Sequence, residues 1–93
     1  MNKYELTLVL PEKFTPAKVK AQKESLEKIV KILKGSITDI KDWGLTPLSY
    51  KIKGNSAGIF ILYELELESD SVSKLKDKLK TEESIIRYLL IRN

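Results

Sequence analysis

Apolar and polar residues alternate along four stretches of this chain and recur at helical spacing along two others. From Lys3 to Leu10, Tyr4, Leu6, Leu8 and Leu10 fall on one side and Glu5, Thr7 and Val9 on the other. That is the period of a strand with one covered face, and Pro11 ends it. Thr15-Pro16 supplies a capping residue and a proline at the first helical position. Val19, Gln22, Leu26, Ile29, Val30 and Leu33 then follow at helical steps, with Gly35 where a left-handed C-cap belongs. A helix from about Pro16 to Lys34 is predicted.

Ile37 to Trp43 and Leu48 to Lys53 both alternate, and only Gly44-Leu45-Thr46-Pro47 separates them. Four residues are too few for a crossover helix. They predict a bulge or sharp bend in one long strand, with Gly44 in a backbone conformation that other residues resist. The one Trp of the chain, Trp43, lies at this bend and is expected to fix the shape of a surface there. Gly54 to Gly58 is a turn cluster, and Ile59 to Glu68 a third strand. Ile59, Ile61, Tyr63, Leu65 and Leu67 face one way along it. Phe60, Leu62, Glu64, Glu66 and Glu68 face the other. Ser69-Asp70-Ser71 offers caps for a second helix with Val72, Leu75 and Leu79 as its apolar stripe. After a polar turn over Thr81 to Ser84, Ile85 to Arg92 is the last strand.

The order strand, helix, strand, strand, helix, strand predicts an α+β, ferredoxin-like βαββαβ sandwich. Its four-stranded antiparallel sheet carries both helices on one face. Right-handed crossovers are expected to put the first and last strands in the middle. The other face stays uncovered, with Thr7, Val9, Phe60, Leu62, Arg87, Leu89 and Ile91 beside Glu5, Glu64 and Glu66. An apolar patch of Phe60, Leu62, Leu89 and Ile91 on an uncovered face calls for a partner. The competing explanation is a one-residue slip in strand parity, which would turn the same set inward.

The 93 residues make one domain with a single modest core. No apolar run approaches the ~20 residues of a membrane span, and the N-terminus predicts no signal peptide. The absence of Cys and His removes disulfides, thiolates, zinc clusters and imidazole catalysis. No phosphate-cradling glycine motif precedes a helix, and no Ser or Thr has an activating partner. Glu64, Glu66 and Glu68 make no acid–base pair and read as an acidic strand edge that discourages aggregation. No catalytic residue, metal or cofactor is therefore expected.

The net charge of +4, from 17 Lys+Arg against 13 Asp+Glu, fits either a polyanion such as RNA or a solvated lysine surface. Lys18, Lys20, Lys23, Lys28 and Lys31 of the first helix read as a solvated face. Exposed aromatics on central strands often stack RNA bases in this topology. Here Tyr4 is predicted inward, Phe60 on an outer strand and Tyr88 on the opposite parity from Arg87. The candidates for RNA backbone contacts are instead Lys3, Lys51, Lys53, Arg87 and Arg92, at strand ends and in the bend.

Several segments then carry a resemblance. They are Tyr4-Glu5, Asp42-Trp43-Gly44 followed by Leu48-Ser49-Tyr50-Lys51-Ile52, Gly58 opening the third strand, and Ile86-Arg87-Tyr88-Leu89. Over nearly its whole length the chain resembles bacterial small-subunit ribosomal protein six. The resemblance implies a non-enzymatic protein of the cytoplasmic ribosome with the ferredoxin-like fold. It implies binding to the central domain of small-subunit rRNA together with small-subunit ribosomal protein eighteen. Two departures stand out. Members usually carry basic residues after the Trp-Gly where this chain has Thr46 and Pro47, and Lys51 stands where Pro is frequent. Many members also extend in a tail beyond the last strand, whose function is expected to be missing from a chain ending at Asn93.

The residues themselves leave a rival open. A ferredoxin-like interaction or ligand-sensing module could self-associate through the same open sheet without any RNA.

Overall fold

The Lys53-Gly54 turn decides how the sheet is assembled. In the computed structural model, which describes residues 2–82 and 84–92, both turn residues have positive φ, 48° and 81°. Two such angles in succession make a two-residue hairpin. Strand β2 (Ser36–Ile52) is thereby held antiparallel to β3 (Asn55–Leu67). On its other side β3 pairs with β1 (Asn2–Pro11), and β1 pairs with β4 (Arg87–Arg92), giving the order β2-β3-β1-β4. The four-stranded antiparallel sheet is the one the periodicity predicts, but the strand order differs. β1 is central as expected, whereas β4 is an edge and β3 takes the other central place. With β1 and β4 both central, β2 and β3 would lie roughly 14 Å apart, three strand spacings. A two-residue turn reaches at most about 11 Å between its flanking residues.

The tight turn also lengthens β3. Asn55 to Gly58, predicted as turn, belong to the strand. Asn55 still serves the turn through its side chain, whose amide donates to the carbonyls of Ile52 and Lys53.

Helix α1 (Pro16–Ile32) starts as predicted, with the Thr15 hydroxyl accepting the Lys18 N–H at 3.3 Å. At its end the Lys34 N–H donates to Lys31 O and the Gly35 N–H to Val30 O, both at 2.9 Å. This is the Schellman pattern. The left-handed position, expected at Gly35, falls on Lys34 (φ 61°). Gly35 is needed for a close approach instead: a Cβ there would sit 2.6 Å from the Glu66 carbonyl and run into Leu67. Helix α2 (Val72–Thr81) follows a single 3-10 turn, Ser69–Ser71. Neither element shows a side-chain cap bond, so the capping expected of Ser69, Asp70 and Ser71 is not made.

The core lies between the helices and the sheet face that carries Tyr4, Leu6, Leu8 and Leu10 of β1 and Ile61, Tyr63, Leu65 and Leu67 of β3. Leu26 and Val30 of α1 and Leu75 and Leu79 of α2 close it. Gln22 is the one buried polar side chain among the described residues. It accepts a hydrogen bond from the Ser84 hydroxyl at 2.9 Å, tying α1 to the approach to β4. The buried Tyr63 hydroxyl has no partner among the described residues. Burial, with Asp42 and Glu27 nearby, pushes its phenol far up, so it stays protonated.

Candidate RNA and protein interface

The bend in β2 is built by its backbone. β2 runs unbroken through 17 residues, with register irregularities between Ile37 and Asp39, Asp42 and Gly44, and Pro47 and Ile52. At the middle one Gly44 takes φ +70°, a left-handed conformation costly for a residue with a Cβ. The Asp42 carboxylate accepts the Gly44 N–H at 3.1 Å and the Lys23 ammonium of α1 at 3.0 Å. The hydrogen bond from Lys23 holds the Asp42 carboxyl below its ordinary range. Trp43 is 60% exposed. The backbone bend is therefore set by Gly44 and Asp42, with Trp43 exposed on its surface.

The third irregularity matters more. Pro47 pairs with Ala57 and Ile52 with Asn55, so residues 48–51 stand opposite Ser56 alone. The surplus chain rises over the uncovered sheet face, where Leu48, Tyr50 and Ile52 form a hollow with Phe60 and Arg87. Arg87, on the opposite edge strand, donates to the Tyr50 hydroxyl at 3.5 Å. Phe60 thus lies on a central strand beneath this excursion, and not on an outer strand. Val9, opposite both Phe60 and Arg87, is buried although it faces the open side. Gly58 leaves room for it, since a Cβ there would collide with Val9.

The rest of the open face lies in cross-strand rows. Lys41, Leu62, Thr7 and Leu89 form one; Asp39, Glu64, Glu5 and Ile91 form the next; Glu66 stands opposite Lys3. Leu89 is 56% and Ile91 47% exposed, while Phe60 and Leu62 are partly covered. The parity read from the sequence holds, so the patch has not slipped inward. Glu64 and Glu66 sit on a central strand, which rules out the edge-guarding role expected of them.

The five basic candidates divide into two groups. Lys51 and Lys53 are exposed at the β2–β3 hairpin, and Arg87 stands at the same end of the sheet. Lys80 of α2 shares a hollow with Lys53 and Arg87. Lys3 and Arg92 lie at the other end. Arg87 faces Val9 and Arg92 faces Tyr4 across β1, a separation of roughly 17 Å along the strand. Arg92 also follows Tyr88 and Leu90 on the helix side and donates to Asn2 Oδ1 at 3.1 Å. Sequence reasoning missed Tyr50 and Lys80 as members of the hairpin-end cluster. No local pattern marks them, because their neighbours come from β4 and the excursion. Among the described residues no group of three or more Asp or Glu is placed to hold a metal, and no helix is long and apolar enough to cross a membrane.

A family model described as Ribosomal protein S6 matches residues 3–92. The chain belongs to the ribosomal protein S6 family. Among curated relatives, the small ribosomal subunit protein bS6 of Pelagibacter ubique is 33% identical over 92 residues, covering 99% of this chain and 76% of that protein. The bS6 of Porphyromonas gingivalis is 34% identical over 96 residues, covering 99% and 79%. That of Alkaliphilus metalliredigens is 30% identical over 92 residues and covers 99% and 97%. The crystal structure of 30S ribosomal protein S6 from Thermotoga maritima superposes with a TM-score of 0.92. It covers 99% of this chain and 87% of that one at 19% identity, a likeness of fold. The S6 family consists of structural ribosomal proteins, not enzymes.

Proposed function

We propose that this S6-family chain is a structural component of the small ribosomal subunit in the cytoplasm. In this reading it binds the central domain of small-subunit rRNA together with ribosomal protein eighteen. The observation that carries the reading is the arrangement of the open face. Lys51, Lys53 and Arg87 gather at one end of it, and exposed Leu89 and Ile91 continue from there along β4. Cations at fixed spacing register a protein on folded RNA through its phosphates. Phe60, Leu62, Leu89 and Ile91 form the patch for the partner protein, which would bury what neither protein covers alone. Lys3 and Arg92, at the far end, would reach separate phosphates.

The bend supports the same division. Thr46 and Pro47 carry no charge where the family usually has it, and the Thr46 hydroxyl donates back to the Gly44 carbonyl at 3.4 Å. Lys51 and Lys53 supply charge from just beyond the excursion that this bend begins. Five phosphate contacts, three at the hairpin end and two at the far end, imply a log–log salt slope of about −3.5 to −4.5. Affinity for a central-domain rRNA fragment, with protein eighteen present, should then fall roughly 100- to 500-fold between 50 and 200 mM salt. Arg87→Ala should flatten the slope by about one unit. Titration of the fragment with and without protein eighteen at both salt concentrations checks this. The reading fails if neither condition shows salt-sensitive binding.

A further inference from the structure

We propose that the hollow between the start of α1 and the bend of β2 is a docking site for an acidic protein segment. The segment seats an apolar side chain against Phe14, Val19, Leu45 and Ile59 and sets its carboxylates on Lys18 and Lys20. This site lies on the helix side of the sheet, opposite the face assigned to protein eighteen, and does not depend on that assignment.

The hollow has a volume of about 460 Å³. Phe14, Val19 and Ile59 give it an apolar lining, and Lys20 and the Lys23–Asp42 pair supply its polar part. Phe14 is brought there by the turn after β1, where its N–H donates to the Pro11 carbonyl at 3.1 Å. The three apolar side chains pack against the core and are only partly buried. Leu45 stands across from Ile59 and therefore on the helix side, yet it is 63% exposed. Helix α1 thus does not cover the sheet out to this edge. A mostly apolar concavity with a few polar groups is the usual form of a binding site, at roughly 300–1,000 Å³.

The charge around the hollow selects its occupant. Residues 12–23 carry Lys13, Lys18, Lys20 and Lys23 against Glu12 alone. Glu12 is turned to β3, where its carboxylate accepts the Ala57 N–H at 3.2 Å and the Ser56 hydroxyl at 3.4 Å. Asp42 is taken by Lys23 and the Gly44 N–H. The Lys18 ammonium lies 5.7 Å from the centre of the Phe14 ring, beside the apolar lining, and Lys20 lines the hollow itself. Among the described residues neither lysine makes an ion pair, with Glu24 one helical turn on or with any other carboxylate. An apolar side chain flanked by carboxylates matches this surface, whereas a basic segment is repelled. RNA would use the two lysines only, because the lining offers its bases no donor or acceptor. A second copy stacked hollow on hollow would set lysine on lysine.

The test uses the whole chain, a labelled peptide repeating Asp-Leu-Glu-Phe, and a second peptide with Ser in place of Leu and Phe. Binding is read by fluorescence anisotropy at low and moderate salt, and located by methyl NMR shifts. The first peptide should bind saturably and move the methyl signals of Val19, Leu45 and Ile59, leaving those of Leu89 and Ile91 in place. Lys18→Gln/Lys20→Gln should bind it about tenfold more weakly and lose most of the salt dependence. Leu45→Ser should bind it about fivefold more weakly at either salt. All three substituted side chains are exposed, so both variants should melt close to wild type. Absence of saturable binding overturns the proposal, as does binding that neither variant weakens. Equal binding of the Ser peptide would leave only diffuse charge attraction and overturn it too. Shifts confined to Leu89 and Ile91 would move the segment to the open face. If an rRNA fragment, and not the peptide, moves the Val19, Leu45 and Ile59 signals, RNA occupies the hollow and the proposal falls. A dimer of the chain that Leu45→Ser dissolves would put a second copy there with the same consequence.

Discussion

The two faces of one sheet are made by alternate residues of the same strands, yet they carry different properties of the molecule. Along β1, Leu6, Leu8 and Leu10 are completely buried against the helices, while on the opposite face Glu5 and Thr7 remain partly open and Val9 is covered. Along β4, Leu90 packs against the core and its neighbour Leu89 stands in solvent. Stability and binding are therefore interleaved at a period of two, and substitutions at similar residues should separate them. Leu8→Ala should cost about 2–5 kcal/mol through lost burial and the cavity left behind. Leu89→Ala should change stability by no more than about 0.5 kcal/mol. Urea unfolding of both variants measures this, and a similar loss at the two positions would break the comparison.

The covered face was the more legible of the two. Each of its positions follows from a repeat that a strand or helix imposes on its own neighbours, as in Tyr4-Leu6-Leu8-Leu10 or Leu75-Leu79. The parity of the open face was legible for the same reason. What lies over that face was not. The contact between Tyr50 and Arg87 joins residues on opposite edge strands, and it depends on a three-residue surplus in β2 that no periodicity records. The strand order was misread because crossover handedness was applied without the reach of the Lys53-Gly54 turn. Glu64 and Glu66 were misassigned along with it, since their role depends on which strand is central. The left-handed place at the end of α1 was misread for a different reason. Gly35 is required there by the Glu66 carbonyl of a strand thirty residues on, and that contact exists only once the sheet has formed.

A smaller effect tests whether the bend in β2 belongs to the open face. Gly44 has nothing within 4 Å of where a Cβ would stand, so a substitution there meets strain and no collision. Gly44→Ala should cost about 1–2 kcal/mol for holding an L-residue left-handed. Gly44→Asn should cost less, because its short polar side chain tolerates that conformation. If the bend positions Lys51 and Lys53, Ala should also weaken rRNA binding more than Asn does. Equal stability losses for Ala and Asn would mean that the φ of Gly44 is not what fixes the bend.

The smallest effect belongs to the contact that fastens the bend to the covered side. Lys23 and Asp42 are 3.0 Å apart, with side chains 28% and 46% exposed. Such a pair is worth only about 0.2–1 kcal/mol after solvent screening. Lys23 lowers the folded carboxyl relative to the unfolded one. The unfolded chain therefore takes up the proton first as the pH falls. The contribution is complete above about pH 4 and disappears as the pH drops through the folded value. Lys23→Met should show a smaller loss of stability between pH 7 and pH 3 than wild type, read from urea midpoints. Some acid sensitivity at Asp42 should survive, because the Gly44 N–H still favours its charged form. The variant should leave rRNA affinity nearly unchanged, since Lys23 faces away from the open sheet. A drop in affinity as large as that of Arg87→Ala would instead mean that α1 takes part in RNA binding, and that the division between the two faces is less complete than the burial pattern makes it.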